Sequence, residues 1–94
     1  MKTTYMNTKF GNPSKDQRII FTPEATYFSS YNTLIVKQTV EDGKRVTYLD
    51  EYYWNYSATT GKYRNDFLGE NINGTRKKIK SGEYILCDLT KESL

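Results

Sequence analysis

Four cations fall within five residues at Arg76-Lys77-Lys78-Ile79-Lys80, and four rings within five at Tyr52-Tyr53-Trp54-Asn55-Tyr56. Lys62 and Arg64 lie between the two clusters. Lysine and arginine at such density neutralise phosphates or dock on acidic protein surfaces, and release of counterions makes that grip salt-sensitive. Tyrosine and tryptophan give stiff, wide contact area for a base or a protein hot spot. The combination is the chemistry of adhesion.

Other chemistries have little to work with. The chain has no histidine and one cysteine, Cys87, so the short Cys/His spacings of a zinc site cannot be formed. Asp50-Glu51 reads as a solvated acidic pair, and no metal site is expected. Cys87 sits in the apolar alternation Tyr84-Ile85-Leu86-Cys87 without a base beside it, the setting of a buried, inert thiol. Gly61-Lys62 lacks the second glycine and the hydroxyl residue of a phosphate-binding loop. No catalytic residue and no cofactor is expected, and the chain reads as a non-enzyme.

The elements that must position the cations and rings can be read from pattern. Ninety-four residues give one small core. Nine tyrosines, four phenylalanines and one tryptophan must fill much of it. Residues 1–16 are polar and read as an N-terminal arm, followed by a single α+β domain over 17–94. Arg18–Thr22, Thr26–Asn32 and Thr33–Val40 are strand candidates, with Leu34, Val36 and Val40 expected on one face. Arg45–Leu49 follows a Glu41-Asp42-Gly43 turn. A two-residue Asp-Gly turn is the usual form and would pair Val40 with Arg45. A three-residue loop, pairing Gln38 with Val46 and Val36 with Tyr48, collects the most apolar residues on one side and is the expected one.

Ser57 is an N-cap for a helix over Ala58–Leu68, with Thr60, Tyr63 and Phe67 facing inward and Gly69 ending it. Asn73 caps a second helix over Gly74–Lys80, and Glu83–Leu89 forms a terminal strand inside the sheet. The expectation is β-β-β-α-α-β: an antiparallel sheet of three to four strands with one or two short helices on one face. Trp54 and Tyr56 belong to the core, leaving Tyr52 or Tyr53 partly exposed.

Net charge is +3, with cations gathered over Lys62–Gly82 and carboxylates over Glu41–Glu51. Such asymmetry speaks to partners. No stretch is long and apolar enough to span a bilayer, so no membrane association is expected, and the chain reads as cytoplasmic.

The runs YFSSYNTLIV, YYWNYSATTGKYRNDFLGE and KKIKSGEYILCDL resemble small proteins of phages and mobile elements of Gram-positive bacteria. The resemblance covers Tyr27–Leu89 and rests on Tyr53, Trp54, Tyr56, Ser57, Thr59, Thr60, Lys62, Asn65, Phe67 and Leu68. It departs from that pattern at Gly61 and Tyr63. The resemblance implies a phage accessory protein of the host-cell cytoplasm that inhibits a host defence complex by binding, in its most concrete form an anti-CRISPR inhibitor of a Cas nuclease. The alternative is a nucleic-acid-binding accessory protein of phage replication or gene regulation. Either way the expected partner-binding residues are Tyr52, Tyr53, Lys62, Arg64, Arg76, Lys77, Lys78 and Lys80. They would meet a host defence protein, a ribonucleoprotein or nucleic-acid phosphates.

Overall fold

Two tight hairpins set the frame of the computed structural model, which describes residues 1–92 and 94. The first joins β3 (Ala25–Ser30) to β4 (Thr33–Glu41) through Tyr31 (φ 51°) and Asn32 (φ 64°). The second joins β4 to β5 (Lys44–Asp50) through Asp42 (φ 52°) and Gly43 (φ 78°). Two successive left-handed residues match the twist of paired strands, which is why Asn and Asp-Gly occupy these places. β1 (Lys2–Asn7) and β2 (Pro13–Phe21) extend the sheet on one side and β6 (Tyr84–Cys87) on the other. The order is β1-β2-β3-β4-β5-β6, antiparallel throughout except that β6 runs parallel to β5.

The architecture is α+β, with six strands where three to four were expected and a mixed sheet where an antiparallel one was. β1 and the first part of β2 come from residues read as a polar arm. β1 is almost wholly exposed, so it lacks the apolar alternation that reveals a half-buried strand. The parallel pairing follows from topology: two helices between β5 and β6 carry the chain back to start a strand in the same direction.

The helices are α1 (Ala58–Leu68) and α2 (Ile72–Ser81). Ser57 Oγ accepts from the backbone N–H of Thr60, and Gly69 closes α1 in the left-handed conformation. Asn71, rather than Asn73, caps α2 by accepting from the N–H of Gly74, so that helix starts earlier than expected.

Phe28, Val36 and Leu49 align across β3, β4 and β5 and form the core with Tyr63 of α1 and Tyr84 of β6. Phe67 stacks on Phe28 at 5.8 Å between ring centroids. Three expectations fail at this level. The β4–β5 turn is the two-residue Asp42-Gly43 form, pairing Thr39 with Val46 and Val40 with Arg45. Val40 lies beyond the core and is exposed, so nothing apolar enforces the other register. Leu34 and Val36 do not share a face, because a bulge opposite Phe28/Ser29 interrupts the alternation. Leu34 packs with Ile20, Ala25 and Tyr27 instead. β6 is an edge strand, with Ile85 and Leu86 exposed, rather than an interior one.

Candidate functional site

The loop from β5 to α1 is built on Asp50. Its buried carboxylate accepts from the backbone N–H of Tyr52 (3.1 Å), Tyr53 (2.8 Å) and Leu89 (2.9 Å), and its carbonyl accepts from the N–H of Trp54 (3.0 Å). Asp50 is thus the organiser of the aromatic segment and not one half of a solvated pair. A run of turns is not an extended chain, so alternate residues do not alternate in burial. Tyr52 is 76% exposed and Tyr56 56% exposed, while Tyr53 and Trp54 pack half-buried against the core. Tyr56 therefore leaves the core assigned to it. The Tyr53 ring meets Tyr52 edge-on at 4.7 Å and Tyr56 at 5.5 Å.

Directly after this loop, α1 brings Lys62 and Arg64 beside Arg76 of α2. The three line one open concavity of about 570 Å³ together with Asn55, Ser57 and Gly61. Among the described residues no carboxylate lines it. Neither Lys62 nor Arg76 forms an ion pair among the described residues.

Arg64 is the anomaly. Sequence reasoning placed it among exposed cations, yet it is 1% exposed. Its Nη1 donates to the Trp54 carbonyl (2.8 Å) and to Asn55 Oδ1 (3.2 Å), and its Nη2 donates to Asn65 Oδ1 (3.0 Å). The guanidinium also lies over the Trp54 ring at 5.4 Å. All these partners are neutral, and the buried Nε finds no acceptor among the described residues. A buried cation usually has a counter-ion, because desolvating a lone charge is expensive. Burial accordingly lowers the pKa of Arg64, and the charge of Arg76 lowers it further against the opposing pull of Glu70.

Gly61 belongs to the same arrangement. A glycine inside a helix costs about 1 kcal/mol relative to alanine. A Cβ here would stand 3.6 Å from both Arg64 Nη1 and Nη2, in ordinary contact. Sterics therefore permit alanine, whose methyl would rest against the guanidinium.

The other cations of the sequence patch part company. Lys78 turns the opposite way: its Nζ binds Glu70 Oε1 at 2.7 Å, and Glu70 also accepts from Thr75 Oγ1 (2.6 Å) and the Tyr84 hydroxyl (3.0 Å). Burial pushes the Glu70 carboxyl up, but these three donors together hold it below its ordinary value. Lys78 is a structural residue in this network and leaves the candidate interface. Lys77 and Lys80 are exposed on α2. The four-residue spacing puts Lys80 on the Arg76 flank, a line that Lys77 does not share. Of the eight expected partner-binding residues, Lys62, Arg64 and Arg76 converge on the concavity, Tyr52, Lys77 and Lys80 are exposed outside its lining, Tyr53 packs against the core and Lys78 is held by Glu70.

Sequence reasoning missed Asn55, Asn65 and Gly61. Only Gly61 left a signal, as a poor helix former inside a capped helix. Asp50 was visible but its role was not, because three backbone donors converging on a carboxylate have no sequence pattern.

Cys87 is a free, half-buried thiol, and burial first and Asp50 second push its pKa up. No group of three or more metal-ligating side chains occurs among the described residues. No helix among them is long and apolar enough to cross a membrane.

The class defined by this fold is a small α+β protein with a six-stranded mixed sheet and two helices that meet at a cationic concavity. Residues 1–85 match DUF8033, a family of unknown function, and the chain belongs to that family. No curated protein and no solved structure matches it.

Proposed function

We propose that this chain is a non-enzymatic binding protein that grips a polyanion-bearing partner through the concavity between α1 and α2. Following the sequence resemblance, the partner is a host defence complex in the host cytoplasm, and its most concrete form is a guide-RNA-loaded Cas nuclease held inactive by an anti-CRISPR mode of action. The observation that carries this reading is the gathering of Lys62, Arg64 and Arg76 around one concavity that no carboxylate lines among the described residues. Charge left uncompensated inside a protein is charge available to a ligand, and arginine suits phosphate because its fork of donors matches the oxygens.

The second reading is direct binding of single-stranded nucleic acid in phage replication or gene regulation. Tyr56 favours it: the ring is 56% exposed and sits in the chain between Asn55 and Ser57, both of which line the concavity. An exposed ring adjacent in sequence to residues that line a cationic concavity is the pairing that stacks bases while holding a backbone.

The test is a phage-plating assay in a host carrying an active CRISPR nuclease. Expression of the chain should restore plating, and the Lys62→Gln/Arg76→Gln double variant should not. Failure of the wild-type chain to protect phage, with tight binding of free RNA at physiological salt, would move the assignment to the second reading. An alanine sweep through Arg76, Lys77, Lys78 and Lys80 is a poor substitute, since removing Lys78 also breaks the Glu70 network.

A further inference from the structure

The concavity between α1 and α2 differs from an ordinary basic surface in having a buried, incompletely bonded arginine as its floor. We infer that Arg64, Arg76, Lys62 and the first turn of α1 form a seat for a single phosphate oxyanion, an inference that rests on reading the chain as a polyanion binder. Four observations converge on it. Arg64 is 1% exposed, and among the described residues it is bonded only to neutral oxygens and leaves Nε without a partner. Arg76 and Lys62 line the same concavity with no ion pair among the described residues. Ser57 and Ala58, at the start of α1, line it as well, and backbone N–H groups at the start of a helix favour an anion. Gly61 keeps the space beside both Nη atoms free of a Cβ that sterics would allow.

Glu70 could have neutralised this cluster, and it does act on Arg64 electrostatically. It is instead bonded to Thr75, Lys78 and Tyr84, so the cations around the concavity keep their positive balance. In the seat, Arg76 and Lys62 contact the phosphate oxygens from the rim. Arg64 supplies fixed positive charge from beneath, where the low local dielectric makes it act more strongly than a solvated lysine. The phosphate oxyanion can belong to a nucleic-acid backbone or be free in solution, and the two are separated by the choice of probe.

The experiment is an amide and arginine Nε NMR titration of the full chain with inorganic phosphate, repeated with a single-stranded tetraribonucleotide. Saturable shifts are expected at Ser57–Lys62 and at the Arg64 Nε–H. Gly61→Ala, which removes no charge and no bonded group, should fold and weaken phosphate binding about tenfold, the equivalent of about 1.4 kcal/mol. Arg76→Gln should do the same, and Lys77→Gln should leave affinity unchanged. Tighter binding of the tetraribonucleotide assigns the seat to a backbone phosphate, and tighter binding of inorganic phosphate assigns it to the free ion. Absence of saturation at these residues, or equal affinity in wild type, Gly61→Ala and Arg76→Gln, overturns the seat. A working seat in a chain that fails to protect phage and binds no RNA sinks the proposed function and leaves the seat standing.

Discussion

Two ionic groups beside the same pair of helices have opposite fates. Glu70 is ringed by Lys78, Thr75 and the Tyr84 hydroxyl, and its charge is answered inside the protein. Arg64 is buried more deeply and is answered only by a carbonyl and two amide oxygens. The first network is closed and ties α2 to β6. The second is open and borders a concavity. A chain of this size has little stability to spare. An incompletely bonded buried cation in such a chain is more telling than the four-cation run that first draws the eye.

The largest effect should come from breaking the closed network. Glu70→Ala leaves Lys78, Thr75 and Tyr84 without their shared acceptor and should destabilise the protein by about 3 kcal/mol, read by urea denaturation. Acidification should act in the same direction. The folded-state pKa of Glu70 lies below its ordinary value. A carboxylate of that kind stabilises the fold above its unfolded pKa, near 4.3, and loses the contribution as pH falls through the lower folded value. Unfolding free energy measured from neutral pH downward should therefore fall below about pH 4. In Glu70→Gln that portion of the dependence should vanish.

A smaller effect of opposite sign is expected at the open network. Asn55→Asp places a carboxylate where Asn55 Oδ1 now accepts from Arg64. It should stabilise the fold by about 1 kcal/mol, because an ionic hydrogen bond replaces a neutral one and the new charge lies near the N-terminus of α1. The same change should abolish polyanion binding, since the carboxylate neutralises Arg64 and repels phosphate. A melting curve and a binding isotherm on one sample check both halves. Such a trade of stability against function is what a site residue shows. The smallest effect belongs to Lys77→Gln, at an exposed position of α2, which should change stability by less than about 0.5 kcal/mol.

Much of this fold could be read from local signals. Ser57 and Gly69 bracket α1 through capping chemistry, and Thr60, Tyr63 and Phe67 mark its inner face by spacing alone. The hairpin over Asp42-Gly43 announces itself by turn chemistry. Choosing its register by apolar matching failed because Val40 lies past the edge of the core, where pattern carries no force. β1 was hidden because its side chains are exposed, and β6 misled because apolar residues on both faces read as burial, yet Ile85 and Leu86 are exposed at the sheet edge. At the site, the residue types were legible and their fates were not. Lys78 and Arg64 look alike in sequence. Only packing decides that one meets Glu70 and the other meets Asn55 and Asn65, contacts that span eight residues in the first case and nine and one in the second.

If the concavity between α1 and α2 is where the chain grips phosphate, the salt dependence of RNA binding must report it. The slope of log Kobs against log[salt] for a single-stranded RNA oligonucleotide falls by about 0.7 for each phosphate contact removed. Lys62→Gln/Arg76→Gln, which releases the one phosphate that both residues hold, should lower the slope by about 0.7 relative to wild type, with an unaltered melting temperature. An identical slope in a folded double variant contradicts it and places the grip elsewhere on the molecule.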